Sequence, residues 1–244
     1  MNEGLFLVEV IALGILSGAT AAVIGFGIGS LLTPLLLTRL EPDVAISVVA
    51  LPHLIATATR YVHHRRWIDR TVLLRFGPPS AVGGVLGALL QGTLHSPVLM
   101  TVLAILLLLT GIANLTQGFG GWHPRPLPAL GVGLLSGIFG GLVGNQGGLR
   151  AAGLSAFNLE PRPYLATGTA VALLIDLART PIYLIRGGGE LLEVWLPILM
   201  ATVGCLMGTI FGERLFLRIS PERYRRVIGV AVLILGVWLL ASLR

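Results

Sequence analysis

Apolar stretches follow one another along the whole chain, separated by short polar or glycine-rich joints. Their lengths predict ten helical elements, with boundaries good to about 2–4 residues. The first five fall at about 5–24, 28–38, 43–60, 72–93 and 97–116. The second five fall at about 127–143, 147–157, 163–185, 190–211 and 221–241. The second element of each set is short, about 11 residues, where a straight crossing needs roughly 20. Pro34 interrupts the first of these and Gly153 the second. Such elements are expected to be re-entrant or to end in a protein-lined cavity, because irregular backbone is not tolerated against lipid.

The two sets are copies of one unit. Gly14-Ile-Leu-Ser17-Gly18 matches Gly133-Leu-Leu-Ser136-Gly137, Gly25 matches Gly144, and Gly29 matches Gly148. Leu40-Glu41-Pro42 matches Leu159-Glu160-Pro161, Arg60 matches Arg179, and every pair is 119 residues apart. The chain therefore reads as a first membrane repeat over 1–118 and a second over 119–244. Interrupted helices at matching positions of two repeats point to a transport site. Glu41 and Glu160 stand where a helix start with proline in its first turn would place them.

Composition agrees with a membrane protein: 55% of residues are hydrophobic, only 11% are charged, and mean hydropathy is +0.88. A soluble domain carries about 25% charged residues. No polar stretch is long enough for a separate soluble domain. All 17 basic residues are arginine, and the net charge is +6. Most arginines lie in short loops, so they report topology rather than nucleic-acid binding. One basic loop is read as Arg60, Arg65, Arg66, Arg70 and Arg75, with His63 and His64 beside them; the other holds Arg214, Arg218, Arg223, Arg225 and Arg226. The positive-inside rule puts both in the cytoplasm with Arg125 and Arg162, leaving Arg39, Arg186 and Arg244 outside. That is consistent only if the two repeats are inverted and both termini face outside. The only cysteine, Cys205, excludes an internal disulfide or a cysteine-based zinc site and reads as a small residue at a helix contact. The start of the chain lacks a basic n-region, so the first apolar run is expected to be retained. Trp67, Trp195 and Trp238 lie near span ends, as interfacial anchors do.

The strongest candidate site is Gly144-Asn145-Gln146-Gly147-Gly148-Leu149-Arg150. Glycines let backbone N–H groups approach a ligand, and a helix start adds unpaired donors and partial positive charge. Asn145 and Gln146 add amide donors, and Arg150 a planar fork suited to a sulfonate or carboxylate. Its counterpart, Gly25-Phe26-Gly27-Ile28-Gly29-Ser30, has glycines and one hydroxyl but no charge, with Leu31 at the position of Arg150. A small-anion pocket lined by Gly25, Gly27, Gly29, Ser30, Asn145, Gln146, Gly147, Gly148 and Arg150 follows. Close helix packing by small residues, with Arg150 snorkelling to an interface, explains the same pattern.

Asp176 and Arg179 are three apart on one helix face and able to pair. They read either as a proton-coupling carboxylate held by a cation or as a structural ion pair near a helix break at Pro181. His53 lies inside a predicted span, where it is a candidate proton relay or a helix–helix hydrogen-bonding group.

Two halves that each open with Gly-x-x-Ser-Gly, a glycine cluster and a short Pro- or Gly-containing stretch resemble the sulfite exporter TauE/SafE family. Gly14, Ser17, Gly18, Gly25, Gly27, Gly29 and Pro34 carry the resemblance, with Gly133, Ser136, Gly137, Gly144, Gly147, Gly148 and Gly153. Ile28 and Asn145-Gln146 stand where the pattern has glycine. The resemblance implies export of sulfite or small organosulfonates across the bacterial inner membrane, and members also handle other small anions.

The expected protein is thus an all-α, multi-pass integral membrane protein, a secondary transporter exporting a small anion, coupled to protons. A passive anion channel, or a transporter of small carboxylates, is the alternative. Ser17 and Ser136 recur, but no His or Lys follows at a helical neighbour position, so an intramembrane enzyme is not expected. No cofactor and no metal are expected. The partners are the anionic substrate, the bilayer and, as an option left open, further copies of the chain.

Overall fold

The computed structural model describes residues 3–116, 126–216 and 221–243, with side chains described at 3–116, 130–212 and 223–243. Its first half holds α1 (Glu3–Ile24), α2 (Ile28–Leu36), α3 (Pro42–His64), α4 (Arg70–Gln91) and α5 (Ser96–Leu115). Its second holds α6 (Pro126–Val143), α7 (Gly147–Leu154), α8 (Pro161–Arg186), α9 (Gly188–Glu193), α10 (Trp195–Phe216) and α11 (Pro221–Ala241). Among the described residues there is no strand, and seven helices are long and apolar enough to cross a membrane. The chain is an all-α integral membrane protein.

Local chemistry sets the helix starts. Pro42 and Pro161 open α3 and α8 behind Glu41 and Glu160. Asp69 caps α4, its carboxylate accepting the Val72 N–H at 2.9 Å, which satisfies one of the orphan donors of the first turn.

Packing pairs helices across the two halves: α1 lies on α10, α4 on α6, α5 on α11, and α3 on α8. This set of pairings maps onto itself when the halves are exchanged. The Gly-x-x-Ser-Gly motifs make the two tightest seams. A Cβ at Gly18 would collide with the Cys205 backbone of α10, and one at Gly137 with the Ser80 carbonyl of α4. In return, a Cβ on Gly208 would strike the Ile15 carbonyl and the Ala19 N–H, and one on Gly83 the Leu134 carbonyl and the Ile138 N–H. Residues 15 and 134, and 19 and 138, are again 119 apart. Small residues there let helix backbones touch, which is how helices associate where no hydrophobic force drives them together. Cys205 is fully buried at this seam.

The short α2 turns back along α1. Arg39, just beyond α2, stacks its guanidinium 4.9 Å from the ring of Phe6, near the start of α1. The pair is a hairpin that returns toward the end from which it came. At the other end, Trp67 carries Arg66 at 4.1 Å and Arg162 at 5.7 Å over its ring. The turn after α3 and the start of α8 therefore sit together. Arg125, Arg214, Arg218 and Arg244 lie outside the described residues or side chains.

Three expectations are corrected. Arg60 is not in the basic loop: α3 continues to His64, and Arg60 is 4% exposed inside the helix bundle. The element expected at 190–211 is two helices, α9 and α10, divided at Val194. Pro197 has no N–H to give to residue 193, so a continuous helix would lose a bond and clash there; as part of the first turn of α10 it costs nothing. Pro181 does not break α8, which runs through it unbroken. Its missing donor faces the carbonyl of Leu177, a residue 54% exposed on the outer face of the helix.

Candidate functional site

Two backbone joints, one in each half, meet in the interior. Between α1 and α2, Gly25 has φ +92° and Gly27 φ +134°; between α6 and α7, Gly144 has φ +74°. These conformations are strained for any residue with a Cβ, and Gly25 and Gly144 are repeat mates. The joints also touch. A Cβ on Gly29 would overlap the Gly144 carbonyl, and one on Gly147 would overlap the Phe26 side chain. Neither Gly27 nor Gln146, the residues that precede α2 and α7, caps its helix with a side chain. The first-turn N–H groups of both short helices thus lack intrahelical acceptors and sit at the positive end of a helix dipole.

A small cavity lies between these helix starts. From the first half it is lined by Gly27, Gly29, Ser30 and His53, and from the second by Asn145, Gln146, Gly147 and Arg150. Eight of the twelve residues singled out in the sequence therefore surround one space. Gly25 lines a small adjoining cavity that reaches Tyr164 and Thr169 of α8. Phe26, Gly147 and Arg150 border both cavities. Gly148 lines neither; its Cα faces α5, where an added Cβ would lie 3.2 Å from Thr110 Oγ1.

Behind the central cavity stands a buried polar network. Asp176 is its hub, with no exposed surface. Its Oδ2 lies 2.6 Å from His53 Nδ1, joining α8 to α3. Its Oδ1 accepts from Arg179 Nε at 3.1 Å, stands 2.9 Å from Arg179 Nη2, and receives the Gln146 amide at 3.4 Å. Asp176 and Arg179 thus pair as their spacing allows, and Gln146 links that pair to the cavity wall. Arg179 also donates to the Gly140 carbonyl at 2.5 Å.

The first half holds an image of this arrangement. Arg60 Nη1 donates to the Ala21 carbonyl at 2.6 Å, and Nη2 donates to Thr57 Oγ1 at 3.0 Å. Residues 21 and 140, 57 and 176, and 60 and 179 are all separated by the repeat length of 119. Arg60 and Thr57 were not singled out as site residues from the sequence. The matched spacing of Arg60 and Arg179 was the available signal, masked by the run of basic residues that follows Arg60.

Arg150 is 5% exposed and donates through Nη2 to the Gly25 carbonyl at 2.9 Å, so it crosses from one half to the other. Its Nη1 has no hydrogen-bond partner, nor has Asn145 Nδ2, nor the acceptor Gln146 Oε1. Buried polar atoms are nearly always paired, and all three of these belong to side chains at the central cavity. Ser136 Oγ donates to the Gln146 carbonyl at 2.9 Å and so ties α6 to the joint.

A family model described as sulfite exporter TauE/SafE matches residues 10–239. No curated protein and no solved structure matches the chain.

Proposed function

The chain belongs to the sulfite exporter TauE/SafE family of membrane transporters, and we propose that it is a secondary transporter that exports a small sulfur anion, sulfite or a small organosulfonate, with proton coupling. The observation that carries the reading is the pair of buried, unpartnered donors, Asn145 Nδ2 and Arg150 Nη1, at a cavity between two helix starts. An oxyanion supplies acceptors for both, and backbone N–H groups at Gly29, Ser30 and Gly147 add neutral donors. The charge of Arg150 is costly so deep in the bundle unless an anion compensates it.

In this reading Gly25, Gly27, Gly29, Ser30, Asn145, Gln146, Gly147 and Arg150 form the binding region. Gly148 keeps the approach of α7 to α5. Asp176 is the coupling group, with His53 and Arg179 as the partners between which its charge is shared. A proton arriving at the His53–Asp176 pair weakens the hold on Arg179 and, through Gln146, alters the cavity wall. The halves 1–118 and 119–244 act as inverted repeats in a bacterial inner membrane, a topology supported by the exchange-symmetric helix pairing and the clustering of Arg66 and Arg162 at Trp67.

Counterflow in proteoliposomes tests this. Saturable exchange of labelled sulfite or isethionate is expected, together with accumulation driven by a pH gradient. Asp176→Asn is expected to abolish the driven accumulation and to keep exchange, which needs no net proton movement. Conductance far above carrier rates, or normal driven accumulation by Asp176→Asn, contradicts the reading.

A further inference from the structure

The two repeat-mate arginines have different neighbours. Arg179 faces the carboxylate of Asp176, while Arg60, in the matching cradle, has the hydroxyl of Thr57 at that position. Arg60 also has an unpartnered Nε. Its Nη1 lies 3.5 Å from the Gly25 carbonyl, the same oxygen that Arg150 Nη2 reaches at 2.9 Å. Two guanidinium groups thus converge on one neutral acceptor inside the bundle. Among the described residues the one carboxylate near them, Asp176, is already shared by Arg179 and His53. Among the described residues, Arg60, Arg150 and Arg179 against Asp176 give this interior two positive charges beyond its one negative charge. Uncompensated buried cations are expensive, and like charges on one oxygen repel.

We infer that Arg60 and Arg150 together make the site selective for a doubly charged sulfur anion, Arg150 from the cavity wall and Arg60 from one layer behind Gly25. The inference rests on the reading of the cavity as an anion site, and it narrows the substrate class. A compact dianion, such as sulfite after loss of both protons, neutralises the pair in one place. An organosulfonate with a second acidic group does so with two heads. A singly charged sulfonate leaves one cation unmatched. Arg60 lines neither cavity, so its contribution is charge rather than contact.

The second half supplies the design of the test. Thr57→Asp gives Arg60 the neighbour that Arg179 already has, without removing the guanidinium or its bond to Ala21. Binding of sulfate, methanesulfonate and sulfoacetate to the purified full-length protein is measured by calorimetry at neutral pH. Sulfate and methanesulfonate are close in size and differ by one charge, and sulfoacetate carries two charged heads. The wild type is expected to bind sulfate at least about tenfold more tightly than methanesulfonate, the scale of one charge-assisted contact. Thr57→Asp and Arg60→Gln are each expected to remove that preference, weakening sulfate about tenfold while methanesulfonate changes by less than about threefold. Sulfoacetate binding as tight as sulfate assigns the site to two-headed anions; weak binding of sulfoacetate assigns it to compact ones. A wild type that binds sulfate and methanesulfonate equally overturns the inference, whatever the folding of the variants. So does a Thr57→Asp variant that keeps the wild-type ratio. A wild type that binds none of the three overturns the anion-site reading as well.

Discussion

In the first half, Arg60 donates to the Ala21 carbonyl and to Thr57; in the second, Arg179 donates to the Gly140 carbonyl and to Asp176. The same comparison extends along both joints. Gly25 and Gly144 take the same left-handed turn, and the α1–α10 and α4–α6 seams close on glycines at matched positions. Backbone and packing are duplicated, whereas charge is not: Leu31 stands opposite Arg150, Thr57 opposite Asp176, and Phe26-Gly27 opposite Asn145-Gln146. The difference teaches where selection for packing stops and chemistry begins. A symmetric frame needs only small residues that let helices touch. In the proposed anion site, the donors and the titratable hub come mostly from one half.

The largest effect is expected where the halves differ most. Asp176→Ala strips three neighbours of their shared acceptor and leaves Arg179 buried without a carboxylate, at a cost of about 3–5 kcal/mol. Thr57→Ala, its mate, removes one hydroxyl and is expected to cost about 1 kcal/mol. Thermal melts of the purified variants compare them, and equal losses would mean that the two cradles are equivalent.

Smaller and, in contrast, matched effects are expected at the seams. Gly18→Val and Gly137→Val each force a side chain into backbone, at about 1–3 kcal/mol apiece. Their melting midpoints should fall together. A large loss at one and none at the other would break the duplicated frame.

Much of this was legible in the sequence. The positions of the two short helices, the glycine joints and the proline-led starts of α3 and α8 follow from apolar run length and from residues that fix backbone geometry. What escaped depended on the third dimension. Arg60 precedes His63, His64, Arg65 and Arg66 and read as one of their loop, although α3 carries it inward. The contact between His53 and Asp176 spans 123 residues, and nothing local announces it. The motif Gly-x-x-Ser-Gly recurs at a spacing of 119 residues, yet Gly18 and Gly137 serve the seams, and only the glycines after them shape the cavity. The division at Val194 was hidden because Leu191, Leu192 and Val194 run on into the apolar α10, and only the need to place Pro197 in a first turn separates the two helices.

A third expectation carries no energetic cost at all. In a Cys205→Ser background, a cysteine replacing exposed Arg65 should react only with reagent on the cytoplasmic side, and one replacing exposed Glu190 only with reagent outside. Labelling of both from one side would contradict the inverted arrangement of the halves.

The asymmetry of charge is tested most directly by exchanging Arg150 for the residue that its own repeat mate carries. Arg150→Leu is expected to insert and fold, to keep the glycine seams, and to lose stabilisation by sulfite in a thermal-shift titration. Arg150→Lys should bind more weakly by about 1–3 kcal/mol, since it keeps the charge but not the fork. If Arg150→Leu is stabilised by sulfite with the affinity of the wild type, the anion binds elsewhere and the joints between the short helices are packing alone.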